Sequence, residues 1–310
     1  MLKPLILSAM LAAIAGCGTV GSNFVTPQGP STAAYRHLQA NDLPTTRLAT
    51  QWWTVFGDAT LDALEQRALL QNPGIKASAQ RLLQAQAQLG TLQAAQYPSI
   101  SAATGISNSR TSSNTSQGIA FGHRSIVGNN YSVGASMSYE IDLWGRVKHI
   151  VEAADAQTLA AQDDHDGVMI LLSAQIAASY WQLRGMDAEM AILQGALGTR
   201  IESEQLIEAR LNGGLSNELD VSRARIERAN AQADLHEVQR QRNLIEHSLA
   251  TLVGVSPSTV MMVSTTASDL PLPPTIPVGL PASLLAQRPD LAASVASLRG
   301  LNAQVGVAEG

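Results

Sequence analysis

Cysteine occurs once in 310 residues, at position 17, which excludes an internal disulfide framework and any CxxC zinc or redox site. Aromatic residues make up 4% of the chain and charged residues 15%. No run reaches the roughly 18 apolar residues that a transmembrane helix needs. A basic surplus is missing as well: the formal net charge is −5, which argues against a nucleic-acid partner held by counterion release. Catalytic signatures are absent, with no GxSxG, HExxH, P-loop or Gly-rich dinucleotide fingerprint. The histidines, His37, His123, His149, His165, His236 and His247, are scattered, and none lies at metal-ligand spacing from another. His165 stands among Asp163, Asp164 and Asp166, which reads as a charged helix face. Glu140 and Asp142 share one strand parity and read as polar lumen or rim residues of a hairpin rather than paired catalytic carboxylates. No enzyme, cofactor or metal is expected. What is present is 45% apolar residues, enough for a sizeable core and, in a soluble globule, for about two domains.

The chain opens as an export signal over residues 1–16. Lys3 precedes an apolar stretch from Leu5 to Ile14, too short for an anchor, and small residues follow. Ile14-Ala15-Gly16-Cys17 resembles the bacterial lipobox, in which the cysteine is acylated and becomes the mature N-terminus. An ordinary signal peptide that happens to contain a cysteine is the alternative. Acyl chains contribute about 0.8 kcal/mol per buried CH₂, so two or more anchor a protein stably. Gly18 after Cys17 fits sorting to the outer membrane. Residues 17–57 then read as a lipidated, extended N-terminal segment rich in Pro, Ser, Thr and Asn.

Helical patterning begins at Asp58 with Leu61, Leu64 and Ala68, breaks at Pro73, and resumes to Gln96, giving first helices over 58–98. No proline occurs between Pro98 and Pro257, so long helices and long strands are free to form there. Two stretches alternate. In one, Tyr131, Val133, Ala135, Met137, Tyr139, Ile141 and Leu143 face one way, with Ser132, Gly134, Ser136, Ser138, Glu140 and Asp142 opposite. The other, Ser99 to Ser107, alternates more weakly, with Ile100, Ala102, Thr104 and Ile106 on one side. Two strands over 99–144 joined by a polar loop at 108–130 match outer-membrane barrel dimensions; a half-buried hairpin in a soluble domain would alternate in the same way.

From Val147 to about Leu211 the pattern is continuous helix, on the order of 95 Å long, with Ile176, Tyr180, Leu183, Met186, Met190, Leu193, Leu197 and Ile201 on one stripe. Asn212-Gly213-Gly214 signals its end. Asn217, with Asp220 three residues on, can cap a second helix reaching Val253. Residues 145–254 therefore predict a coiled-coil-like antiparallel pair with its tip at 211–220. A Pro-rich connector occupies 255–281. Residues 282–310 then repeat the first helices: Pro73, Ala77, Ser78, Leu82, Ala87, Gln88 and Gly90 match Pro289, Ala293, Ser294, Leu298, Ala303, Gln304 and Gly306 at a constant offset of 216. A repeat of this length means two related halves, of which the second holds only its opening helix. Completing it would extend the chain to about 470 residues.

Several short stretches carry a family resemblance: Trp52-Trp53 with Phe56-Gly57-Asp58, Gln71-Asn72-Pro73, Tyr139 through Arg146 (YEIDLWGR), Tyr180-Trp181-Gln182-Leu183-Arg184, Leu219-Asp220-Val221 and Arg288-Pro289-Asp290-Leu291. With them the chain resembles the outer membrane factor (TolC-like) family of tripartite efflux pumps, in its RND-associated lipoprotein (NodT-type) branch. The resemblance implies a membrane β-barrel above a long α-helical coiled-coil barrel, mainly α by residue count. Three protomers would each lend four strands, two per repeat. It implies a homotrimer in the outer membrane of a Gram-negative bacterium, lipid-anchored at Cys17, its helices in the periplasm. The partners would be outer-membrane lipid, a periplasmic adaptor (membrane fusion) protein and an inner-membrane RND transporter. Tyr131, Val133, Ala135, Met137, Tyr139, Ile141 and Leu143 would face lipid, and Trp144, Gly145 and Arg146 would form the strand–helix junction. The adaptor would meet Asn212, Gly213, Gly214, Leu215, Ser216 and Asn217. The function implied is a passive conduit for exported solutes. An anchored lipoprotein whose coiled coil binds periplasmic partners without forming a pore is the alternative. The second repeat's strands and long helices are missing, so these 310 residues alone are expected to give no channel conductance.

Overall fold

The computed structural model describes residues 20–27, 51–258, 274, 285 and 287–310. The signal segment, the lipobox residues Ile14, Ala15 and Gly16, Cys17, and nearly all of the Pro-rich connector lie outside the described residues. A 3₁₀ turn at Trp52–Phe56 leads into α1 (Ala59–Gln71), α2 (Pro73–Gln93), β1 (Ser99–Thr111), the short α3 (Ser116–Ala120), β2 (Ile126–Ser138), α4 (Arg146–Asn212), α5 (Glu218–Val253) and α6 (Pro289–Glu309). Among the described residues no helix is long and apolar enough to cross a membrane.

The chain forms two compact units. One comprises Met1–Pro27, Leu83–Ala160 and Ser294–Gly310; the other comprises Gln28–Leu82 and Ala161–Ala293. The second contains the main core. Leu61, Leu64 and Ala68 of α1 meet Leu172, Ile176, Ala177, Tyr180 and Leu183 of α4 and Leu249, Ala250 and Val253 of α5, with Trp53 and Ile75 completing the cluster. Leu61, Leu64 and Ala68 recur at three and four residues, so α1 presents one apolar stripe. Asp58 starts this helix, its carboxylate accepting from the backbone N–H groups of Thr60 and Leu61 at 2.9 and 3.1 Å. Asn72 ends it and begins the next. Its side-chain oxygen accepts from Gly74 and Ile75, while its amide donates to the Leu252 carbonyl at 2.7 Å. Towards the tip Ile192, Leu206, Leu219 and Ile226 are exposed. There ion pairs tie α4 to α5, with Arg225 reaching Glu204 and Glu208, and Arg228 reaching Glu204. Each exposed pair contributes roughly 0–1 kcal/mol, so they fix register more than stability.

The other unit contains the strands, which pair antiparallel with each other in a two-stranded sheet. They differ from the expected spans. β1 continues past Ser107 to Thr111 and β2 begins at Ile126, so the connecting loop is 112–125 rather than 108–130, and it carries α3. Cross-strand pairing outlasts hydrophobic alternation here, because Asn108–Asn129 and Arg110–Val127 continue the ladder with polar side chains. At its other end β2 stops at Ser138, so Tyr139, Ile141 and Leu143 lie beyond the strand. At the stated offset α6 reproduces the opening helix of the first repeat: Pro73–Gln93 and Pro289–Glu309 are both 21 residues long.

Leu249 has no exposure and sits where α1, α4 and α5 converge, whereas Leu244 on the same helix is exposed. Leu249→Ala is expected to lower unfolding stability by about 2–5 kcal/mol, and Leu244→Ala by less than about 0.5 kcal/mol. Thermal denaturation followed by circular dichroism distinguishes the two.

Candidate functional site

The hairpin presents one apolar and one polar face. Directly opposed residues share a face of the sheet. The register pairs Ile100 with Met137, Ala102 with Ala135, Thr104 with Val133 and Ile106 with Tyr131, so the weak alternation of β1 and the strict alternation of β2 build one surface. The opposite face carries Ser99–Ser138, Ser101–Ser136, Ala103–Gly134 and Gly105–Ser132, with Ser101 and Ser136 hydrogen-bonded at 2.8 Å. The apolar face is bare: Val133 is 87% exposed, and Ile100, Ile106, Tyr131 and Met137 are similarly open.

Beyond Ser138 the YEIDLWGR stretch turns the chain from strand to helix. Glu140 and Asp142 are not side chains of a strand face, as the alternation suggested; both serve the start of α4. Glu140 accepts two hydrogen bonds from Arg146. Asp142 accepts from the N–H groups of Val147 at 3.1 Å and Lys148 at 2.8 Å, satisfying donors that open the helix. Burial alone would raise the Asp142 carboxyl, but the backbone N–H groups of Lys148, Val147 and Gly145 and the nearby Arg146 charge hold it below the usual carboxylate range. Gly145 makes the turn with a φ of 86°, a left-handed conformation costly for other residues. Tyr139, Ile141, Leu143 and Trp144 are all exposed around this junction.

At the other end of α4, Leu215 N–H bonds to the Arg210 carbonyl and Gly214 N–H to that of Leu211, the two bonds of a Schellman ending with Gly214 at φ 74°. Asn217 then accepts from Asp220 N–H at 3.0 Å and caps α5. Asn212, Gly213, Gly214 and Leu215 stand in solvent, Leu215 82% exposed, with Ser216 half-buried against Asp220. A groove of about 430 Å³ opens beside this turn, lined by Arg200, Arg210, Leu215 and Arg223 among others.

Two of the family-like motifs prove to be one contact. The Asp58 carboxylate, which caps α1, also accepts from Tyr180 Oη at 2.7 Å and from Arg184 at 3.2 Å. Phe56 packs on Trp181 with ring centroids 5.4 Å apart, and Trp52 donates to Ser173 at 2.9 Å. Burial pushes Asp58 up, but the bonds from Tyr180, Leu61 and Thr60 and the charge of Arg184 outweigh it, so its carboxyl lies below the ordinary value. The Asp–Arg–Tyr pairing could not be read from spacing, since the partners lie more than a hundred residues apart. His165, set among aspartates, is held by Ser78: the Ser78 hydroxyl donates to Ile75 O at 2.9 Å and meets His165 Nδ1 at 2.8 Å.

Glu65 was not anticipated. Its side chain is fully buried in the core of unit 2, and neither carboxyl oxygen has a hydrogen-bond partner. Burial and the neighbouring Asp62 charge push its pKa up to about 8. A carboxyl raised in this way favours folding in its protonated form, so stability is fully present below about pH 4.5 and is lost as pH rises towards 8, at up to about 1.4 kcal/mol per pH unit. Glu65→Gln is expected to remove that slope. The variant's thermal midpoint should match the parent's near pH 5 and exceed it increasingly up to pH 8.

The outer membrane efflux protein family model matches residues 64–255, more than half of the chain. The pyoverdine export outer membrane protein OpmQ of Pseudomonas aeruginosa is 30% identical over 96% of this chain and 64% of its own length. The toluene efflux pump outer membrane protein TtgC of Pseudomonas putida is 28% identical over 99% of this chain and 64% of its own length. The solved outer-membrane channel OprN superposes with a TM-score of 0.81 at 28% identity, covering 94% of this chain and 64% of its own. The CmeC outer membrane channel of Campylobacter jejuni has the same fold, with a TM-score of 0.82 at 20% identity over 94% of this chain and 62% of its own. The chain thus spans a little under two thirds of the relatives it matches. The chain belongs to the outer membrane efflux protein family.

Proposed function

We propose that this chain is part of the outer-membrane channel of a tripartite, RND-type efflux system, a passive conduit for exported drugs or other solutes. The observation that carries the reading is the bare apolar face of the hairpin, built by Ile100, Ile106, Tyr131, Val133 and Met137. In water such a face would be covered. In lipid it is the required outer surface, and the serine face opposite becomes the lumen lining. Two strands leave open edges, and hydrocarbon offers no hydrogen bonds to them, so closure needs strands from further repeats and further copies. A homotrimer supplies them.

A second observation favours closure into a ring. Gly306 of α6 lies against His149, while its repeat equivalent Gly90 on α2 has open space before it. A second-repeat helix from a neighbouring copy would fill that space as α4 fills it here. In this reading Trp144 marks the periplasmic membrane interface and the helical hairpin hangs into the periplasm. The exposed turn Asn212–Asn217 meets the adaptor, and the lipid on Cys17 holds the protein to the outer membrane. No catalytic group is called for.

Val133→Arg or Met137→Arg, placing charge on the lipid face, is expected to cost about 2–4 kcal/mol each and to abolish heat-modifiable trimers in outer-membrane fractions, as read by semi-native electrophoresis. Ser132→Arg, on the opposite face, should leave them intact. Persistence of trimers in both apolar-face variants would favour a pore-free anchored lipoprotein instead.

A further inference from the structure

The base of the hairpin carries a feature that channel architecture does not require. His149, in the first turn of α4, is 12% exposed and has a hydrogen-bond partner at each ring nitrogen. Nδ1 lies 2.8 Å from the Glu152 carboxylate, and Nε2 lies 2.7 Å from the backbone carbonyl of Val20. A carbonyl and an ionised carboxylate both only accept. Both bonds therefore form together only when the ring carries a proton on each nitrogen.

The ring is enclosed at two further points. A Cβ on Gly306 would fall 2.7–2.9 Å from its atoms, and one on Gly21 would fall 3.2 Å from Nε2. Only residues without side chains allow α6 and the N-terminal arm to approach the imidazole so closely. The arm is bound on either side of this contact. Val20 N–H donates to the Trp144 carbonyl at 3.0 Å. Asn302 of α6 donates to the Ser22 carbonyl at 2.8 Å and accepts from the Ser22 hydroxyl at 3.2 Å. Residues 20–22 therefore join α4 of the first repeat to α6 of the second.

We propose that His149, as an imidazolium, is a proton-dependent clasp that seats the N-terminal arm on the strand–helix junction. The charged groups around it are few. On α4, Glu152 faces it, with Lys148 held on the other Glu152 oxygen at 3.7 Å; Arg146 is engaged by Glu140. The arm from Val20 to Pro27 has no ionisable side chain, and α6 presents Gly306, with Arg299 and Glu309 in no ion pair with the ring among the described residues. Loss of the proton turns one nitrogen lone pair towards an acceptor and sacrifices one of the two bonds. The arm is thus held while the ring carries both protons and loosens once one of them is lost at higher pH.

The test uses the full chain carrying a nitroxide on Val25→Cys, a position 81% exposed, with Cys17→Ser so that a single thiol is labelled. The ratio of immobilised to mobile label is read by electron paramagnetic resonance at about pH 5.5 and about pH 8. With His149 and Glu152 intact the ratio should fall about tenfold as pH rises, the effect of losing one charge-assisted bond. His149→Gln, which offers only an amide donor, should give a low ratio at both pH values. Glu152→Gln should give a high ratio at both, because its amide donates to Nδ1 and lets a neutral ring donate to Val20. A pH-independent ratio in the parent, or an unchanged pH dependence in either variant, overturns the clasp. Either result leaves the channel reading untouched, since that rests on the hairpin face and not on the arm.

Discussion

A backbone N–H or C=O placed in hydrocarbon must find its partner within protein, because the lipid offers none. Between Ser99 and Ser138 this chain builds two thirteen-residue strands that satisfy only the edges they turn towards each other. In the proposed channel that unfinished sheet calls for strands from a second repeat and from further copies, with the apolar face of the hairpin outward and its small polar face inward. The bare surface formed by Ile106, Tyr131 and Val133 would be a liability in a soluble protein. In the proposed setting it is the part that contacts solvent, the solvent being lipid.

The helical parts obey a different rule. Long helices gain stability by packing amphipathic faces rather than by length, and here the packing is uneven. The core near Leu61, Ile176 and Leu249 is complete within one chain, and Asp58 ties α1 to α4 by capping α1 while accepting from Tyr180 and Arg184. Towards the tip, Ile192, Leu206 and Ile226 remain exposed, and the hairpin is held in register by Arg–Glu pairs. Glu65 runs against the same logic, a carboxyl without a partner inside the densest part of the fold.

The junction between strand and helix concentrates the remaining chemistry. Glu140, Asp142, Gly145 and Arg146 convert an extended chain into α4 within a few residues, with each carboxylate assigned to a donor that the turn creates. The same level of the molecule receives the N-terminal arm, through Trp144, His149 and Asn302. The two-stranded sheet, a long helix and the N-terminal arm therefore converge on one place.

Much of this was legible in the amino-acid order because it rests on local periodicity. Alternation at Tyr131–Met137 exposed the strand, spacing by threes and fours exposed α4 and α5, Asn212-Gly213-Gly214 and Asn217 marked the turn, and a constant offset of 216 placed the opening of α6 near Pro289. Periodicity does not show where a strand ends when polar pairs such as Asn108–Asn129 prolong it, nor where alternation persists after the strand has stopped, as at Tyr139, Ile141 and Leu143. The contacts that hold each unit together, Asp58 to Tyr180 and Arg184, Asn72 to Leu252, and His149 to Val20, join residues separated by 122 or more positions. They depend on how helices pack in three dimensions, and only the tertiary structure decided them.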